Sequence, residues 1–249
     1  MGNSTGLQVR PKRKRRADGT YAEVLERRMR SRGLDVIAIN HCRWWDLVTK
    51  GFQRWEEDVA QPCPDVLVLN YGLGECQPRI WPNWLIRYMS TWRTSSHPVA
   101  MFWRQWIVRN FFRGVVWVTP KITPRLGLRT FRVPPKRFTN DFRRLIQTTR
   151  WETGALVLVM NVNPPGPFLQ RLMPGIEERA ELYGDLVARI VSDIDDADVR
   201  LVDAASVVER LGWRKVMVDG LHYTPTGHEE IATMLEEHIG DWLGESDDG

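Results

Sequence analysis

Residues 155–160 read ALVLVM. Six consecutive apolar residues in a run this short describe a strand buried on both faces, because alternate side chains of a strand point to opposite sides. Val36–Asn40 (VIAIN), Val66–Tyr71 (VLVLNY) and Val199–Val202 (VRLV) repeat the pattern. Helical patterns fall between these runs. Thr20-Tyr-Ala-Glu23 is a capping box, and the helix it opens runs to about Arg32 and stops at Gly33. Glu177–Ile194, Ala204–Leu211 and Gly227–Leu243 have helical periodicity, the last opened by a second capping box, Thr226-Gly-His-Glu229. Strands alternating with helices predict an α/β fold whose central parallel sheet is covered on both sides. Ligands of such sheets sit beyond the carboxyl ends of the strands.

The middle of the chain breaks this rhythm. Trp84–Trp92, Val99–Phe112 and Lys136–Trp151 look helical, Val115–Val118 fits a short strand or a helix tail, and the Pro-rich stretch 120–135 reads as loop. Residues 77–151 hold fifteen Lys or Arg, a single acid (Asp141) and seven of the twelve tryptophans. Residues 10–16 (RPKRKRR) add six positive charges. With a net charge of only +4, the rest of the chain is strongly acidic. The expected organisation is a single domain over 1–249, with 77–151 as an insertion or cap segment.

At 249 residues, 43% hydrophobic and 27% charged, the chain has globular composition. No apolar run is long enough to span a membrane, and no signal peptide is recognised. Three cysteines, Cys42, Cys63 and Cys76, form no CxxC pair and predict no disulfide. Such sparse cysteine fits a reducing, cytoplasmic location.

The strongest local signal for chemistry is Asp219-Gly-Leu-His222, just before the last helix. Three-residue spacing on a turn lets the carboxylate reach Nδ1 of the imidazole and leaves the other ring nitrogen as a general base. A loop histidine beside a solvated Asp is the plainer alternative. His228, on the helix side, reads as structural.

In this position Asp-x-x-His resembles the C-terminal block of the SGNH (GDSL-type) hydrolases. The resemblance extends in order along nearly the whole chain. Gly2-Asn3-Ser4 stands where the family has its Gly-Asp-Ser nucleophile block. Asn40-His-Cys-Arg-Trp-Trp45 occupies the second block, and Gly72-Leu-Gly-Glu75, continuing as Cys76-Gln-Pro-Arg79, occupies the third. The resemblance implies a three-layer α/β/α, flavodoxin-like fold and a Ser-His-Asp triad of Ser4, His222 and Asp219. It places Trp45, Gly74, Glu75 and Arg79 at the oxyanion and substrate-binding positions, with no metal and no cofactor. The chain departs from the family at Asn3, Cys42 and Trp45, and above all at Gly74, which stands where the family has the Asn that completes the oxyanion hole. Losing one such donor typically costs about 10²–10³ in turnover.

The implied activity is hydrolysis of an O-acyl ester, such as an acetyl ester, on a small molecule or an anionic glycan or lipid. The alternative is a non-catalytic or weakly active SGNH-like protein that binds polyanions or anionic membrane surfaces through 10–16 and 77–151. In the Pro98–Arg113 stretch Gln105, Arg109 and Arg113 share one helical stripe, which fits a solvated face, a cap or an interfacial helix. Basic and aromatic residues also suit single-stranded nucleic acid, but no nucleic-acid motif is present and none is expected as partner. The resemblance further implies that a central strand leads into Ser4. A chain read from Met1 lacks it, and the expectation is a polypeptide that begins upstream.

Overall fold

The computed structural model describes residues 1–2, 6–7, 19–43, 46–78 and 131–244. Ser4, Trp45, Arg79, the 10–16 cluster, the helical patterns at 84–92 and 99–112, the 105/109/113 stripe and Val115–Val118 lie outside them.

Three strands, β1 (Val66–Leu69), β2 (Leu156–Met160) and β3 (Val199–Val202), form a parallel sheet in the order β1-β2-β3. Val66 pairs with Leu156, and Val157 with Val199. Around them run α1 (Tyr21–Ser31), α2 (Val48–Gln53), a π-helical turn (Glu56–Ala60), α3 (Pro135–Thr153), α4 (Pro167–Leu172), α5 (Ile176–Ile194), α6 (Ala204–Leu211), α7 (Trp213–Val216) and α8 (Pro225–Leu243).

The strand period of two sorts β2 between two cores. Val157 and Val159 pack with Phe138, Phe142, Leu145 and Ile146 of α3 and Tyr183 and Val187 of α5. Leu156, Leu158 and Met160 pack with Val24 and Leu25 of α1, Val207 and Val208 of α6, and Ile231 and Leu235 of α8. All five β2 residues are fully buried, so the sheet is the middle layer of an α/β/α sandwich. The end of the 77–151 segment thus belongs to the core, because α3 is the crossover from β1 to β2. On the other face, Arg28 of α1 and Arg32, which caps its C-terminus, pair with Glu229 and Glu236 of α8.

Two local expectations are corrected. The last helix begins two residues earlier than its second capping box predicts. Thr224 is the N-cap, its hydroxyl accepting from the Gly227 amide, because Pro225 sits at the first helical position where a missing N–H costs nothing. Residues 36–40 belong to no strand. Their side chains alternate as a strand's do, with Val36, Ala38 and Asn40 partly buried and Ile37 and Ile39 77% and 60% exposed. No ladder forms because a groove separates them from β1. Met1 and Gly2 close that groove at one end. The Asn70 amide donates to the Met1 carbonyl at 3.0 Å, and the Arg43 amide to the Gly2 carbonyl at 3.0 Å. Gly2 forms parallel bridges to both Cys42 and Asn70.

Among the described residues, no helix is long and apolar enough to cross a membrane. The three cysteines are free, Cys42 and Cys76 buried and Cys63 exposed.

Candidate active site

The site is built from loops at the carboxyl ends of the strands. The loop 217–223 is pinched shut by an antiparallel bridge between Met217 and Tyr223, with the Val218 amide donating to the His222 carbonyl at 2.7 Å. Inside it, the two oxygens of Asp219 divide the work. Oδ1 accepts from the amides of Leu221 (3.0 Å) and His222 (2.9 Å) and so fixes the turn. Oδ2 lies 2.7 Å from His222 Nδ1 and fixes the ring. Burial opposes the charge on Asp219. The hydrogen bonds from the His222 ring and amide and from the Leu221 amide outweigh it, and the carboxyl titrates below its ordinary value. An ionised Asp219 accepts the Nδ1 proton and selects the tautomer whose Nε2 carries the lone pair. His222 itself is buried, at 5% exposure.

The loop after β2 supports this turn from below. Gly220 has φ +82° and lies backbone to backbone with Gly166, whose amide donates to the Gly220 carbonyl at 3.2 Å. Asn163 Nδ2 donates to the Tyr223 hydroxyl at 2.5 Å. Neither Asn163 nor Tyr223 was singled out by its sequence. An Asn just past a buried strand, in Asn161-Val-Asn163-Pro-Pro-Gly166, is the signal that could have found the first.

The N-terminal residues reach the same end of the sheet. Gly2 sits against Asn70, just past β1, so closely that a Cβ there would lie 2.6 Å from the Asn70 carbonyl oxygen. Gly6 is held by Asn40, whose Nδ2 donates to its carbonyl at 3.1 Å. A Cβ on Gly6 would meet the Cys42 sulfur and the Tyr21 hydroxyl. The Tyr21 ring in turn stands edge-on to Tyr223, with centroids 6.5 Å apart. Gly6 is thus linked through Tyr21 to Tyr223, the neighbour of His222 in sequence.

Glu75 plays a different part from that of a substrate-facing acid. It is fully buried, and its oxygens accept from the Gly72 and Val48 amides, both at 2.8 Å. It braces the turn after β1 against the start of α2. Gly74 lies within that turn and is buried. Burial pushes the Glu75 carboxyl up to about 7, against the pull of the amides and of Arg132. Between pH 4.5 and about 7 the folded chain keeps a proton that the unfolded chain has lost, so this group makes stability fall as pH rises through that window. The effect is on the order of 3 kcal/mol, since each tenfold change in proton affinity corresponds to about 1.4 kcal/mol. Buried His228, lowered to about 4, works in the opposite sense. The comparison that isolates Glu75 is urea unfolding of wild type and Glu75→Gln at pH 5 and pH 8. The variant is expected to lose less stability than wild type on going to pH 8; equal changes would remove the assignment.

His228 is structural. Its Nδ1 accepts from the Tyr21 amide at 3.1 Å, and its ring lies among Tyr21 and Tyr223. Among the described residues, no cluster of three or more His, Cys, Asp or Glu could hold a metal ion.

No family model and no curated protein sequence matches the chain. Solved structures do. A lipase/acylhydrolase from Enterococcus faecalis superposes with a TM-score of 0.62 at 12% identity, over 97% of this chain and 93% of that one. A GDSL-like lipase from Parabacteroides merdae gives 0.61 at 14%, over 96% and 93%. An acetylxylan esterase from Geobacillus stearothermophilus gives 0.60 at 17%, over 96% and 91%. The chain has the SGNH hydrolase fold. Of the residues that the sequence singled out for a triad, the described structure brings Asp219 and His222 together.

Proposed function

We propose that this protein is a serine ester hydrolase with Ser4 as nucleophile, His222 as general base and Asp219 as the orienting carboxylate. The observation that carries the reading is the 2.7 Å contact between Asp219 Oδ2 and His222 Nδ1, locked by a turn at the carboxyl end of a parallel sheet. The esterases and lipases that share the fold support it. The Ser4 oxygen attacks the ester carbonyl carbon while its proton passes to His222 Nε2. The tetrahedral adduct collapses, the C–O bond to the alcohol breaks, and the alcohol leaves with the proton from His222. Water then attacks the acyl-enzyme and gives one proton to His222; the second tetrahedral adduct collapses, Ser4 leaves with that proton, and the carboxylic acid departs and ionises in solvent.

The oxyanion needs donors, and Gly74 brings no side-chain amide. In this reading the backbone amides of Ser4, Trp45 and Gly74 serve instead. Glu75 contributes by holding the turn, and Arg79 favours an anionic substrate. A backbone-only hole is weaker, so Gly74→Asn is expected to raise kcat on p-nitrophenyl acetate at least tenfold. An unchanged or lower kcat in a folded variant would show that the hole is already complete without it.

The substrate class that fits best is an O-acetyl or other short O-acyl ester of a glycan or small molecule. Hydrolysis of p-nitrophenyl acetate and of acetylated xylo-oligosaccharides tests the reading directly. A chain inert on both, with the residues around His222 folded, would remove it. The 77–151 insertion, apart from its end in α3, is proposed to cap this site within one domain, and the three free thiols fit a reducing, cytoplasmic location. Contact with an anionic surface through 10–16 and 77–151 is a further part of the proposal. It requires that co-sedimentation with anionic vesicles weaken as salt rises.

A further inference from the structure

Asp46 and Asp58 are buried, their side chains 1% and 0% exposed, and the chemistry above uses neither. Arg54, the C-cap residue of α2, bridges them. Its two terminal nitrogens donate to the two oxygens of Asp46 at 3.0 and 2.8 Å, and its Nε donates to Asp58 Oδ2 at 2.9 Å. The Tyr71 hydroxyl, just past β1, donates to Asp46 Oδ2 at 3.1 Å. Asp58 stands in the π-helical turn, and its Oδ1 accepts from the Arg43 guanidinium at 3.1 Å, with His41 Nδ1 3.3 Å from the same oxygen. All four carboxylate oxygens are thus engaged. The hydrogen bonds to Asp46, and then to Asp58, outweigh burial and raise the proton affinity of Arg54 above the ordinary arginine value.

Such a lattice is a poor source of stability. Taking charges out of water costs about as much as their attraction returns, and apolar side chains of similar volume would hold a fold as well. What a bidentate guanidinium adds is fixed geometry. Here it fixes the segment 40–46, the second of the ordered sequence blocks. Arg43 and Asp46 are both held, and Trp44 and Trp45 are the two residues between them in sequence. The same segment ties down the N-terminal residues. The Arg43 amide donates to the Gly2 carbonyl at 3.0 Å, and Asn40 Nδ2 donates to the Gly6 carbonyl at 3.1 Å. Gly2 and Gly6 lie on either side of Ser4 in sequence. One ionic anchor therefore holds the residues that flank the nucleophile and the residues that flank an oxyanion donor.

We propose that Arg54, with Asp46 and Asp58, is a positioning residue for ester hydrolysis, holding segment 40–46 in register with the residues around Ser4. The proposal rests on the reading in which Ser4 attacks the ester and the Trp45 amide helps to hold the oxyanion. Neither carboxylate touches substrate in this role. The oxyanion forms only as the bond to Ser4 forms, so a displaced segment weakens the transition state and leaves substrate binding alone.

Kinetics on p-nitrophenyl acetate in Arg54→Lys and Arg43→Ala, with Tm measured beside them, test it. Lysine keeps the charge, but its single nitrogen cannot make two parallel bonds to Asp46 together with one to Asp58. Arg54→Lys is expected to lower kcat about 10²-fold with KM within about twofold of wild type. If that variant does not fold, Arg43→Ala decides, because the Arg43 side chain is 47% exposed and its removal opens no core. Its kcat is expected to fall about tenfold at unchanged KM, since it frees one end of the 44–45 pair. A lower Tm with kcat intact would make the lattice a stabilising device only and overturn the proposal, as would a rise in KM alone. Ser4→Ala separates this from failure of the underlying reading. Turnover that survives Ser4→Ala removes the hydrolase reading and the proposal with it. Turnover that needs Ser4 but is indifferent to Arg54→Lys and Arg43→Ala overturns the lattice alone.

Discussion

Replacing His222 by alanine is expected to lower kcat/KM on p-nitrophenyl acetate by about 10⁴, to the residual rate that binding and oxyanion donors supply alone. The size of the effect follows from what the ring does and from how firmly it is held. Asp219 Oδ2 at 2.7 Å and a buried setting give the imidazole one tautomer and one orientation. Alanine removes the proton acceptor, and Ser4 is left a weak nucleophile. Ser4→Ala should cost as much, and the double variant little more, since the two act as a unit. Loss of less than tenfold in folded His222→Ala would assign the base elsewhere. Collapse of the loop is not expected to mimic the effect, because the turn around His222 is fixed by the Asp219 carboxylate and the Gly220–Gly166 contact.

The second large effect is at Gly220. A Cβ there would lie 2.9 Å from the Gly166 Cα and 3.0 Å from its nitrogen, and the backbone has φ +82°. Neither obstacle is a flexible side chain that could swing away. Left-handed strain costs roughly 1–2 kcal/mol, and forcing two backbones apart about 1–3 more. Gly220→Ala should therefore destabilise by about 2–5 kcal/mol. Because Asp219 and His222 flank the residue, their shift should cost on the order of 10² in kcat/KM. Gly154→Ala is the control: its φ is +68°, yet nothing lies within 4 Å of a Cβ, and it caps α3 away from the site. It should lose only about 1 kcal/mol and no activity. Urea unfolding with parallel kinetics separates the two. Equal costs at both positions would mean that the Gly220–Gly166 contact does not hold the turn.

The physics of burial decided what could be read from sequence. Leu156–Met160 is apolar on both faces because both faces are covered, so its pattern alone marks a central strand. Phe138, Phe142, Leu145 and Ile146 keep helical spacing because α3 presents one stripe to the sheet. Val36–Asn40 has the same apolar signature yet forms no ladder, since a strand also needs neighbours and composition says nothing about them. Thr226 offered as good a capping signature as Thr224, and the choice was made by Pro225. The short helices α2, α4 and α7 span less than two turns each and leave no period to detect. At the site, Asp219 and His222 were legible because their spacing lets them meet within one turn. Glu75 was not. An acid in a loop reads as solvated or substrate-facing, and only the fold shows two amides folding back onto it. Asn163 and Tyr223 come from segments 60 residues apart, and no local pattern joins them.

All of the proposed chemistry requires that the Asp219–His222 pair activate Ser4. Fluorophosphonate labelling of the chain, with the modified residue located by peptide mass spectrometry, is the decisive experiment. One label per chain on Ser4, lost in His222→Ala, is the expected result. No label on Ser4, or a label that persists undiminished without His222, would contradict it.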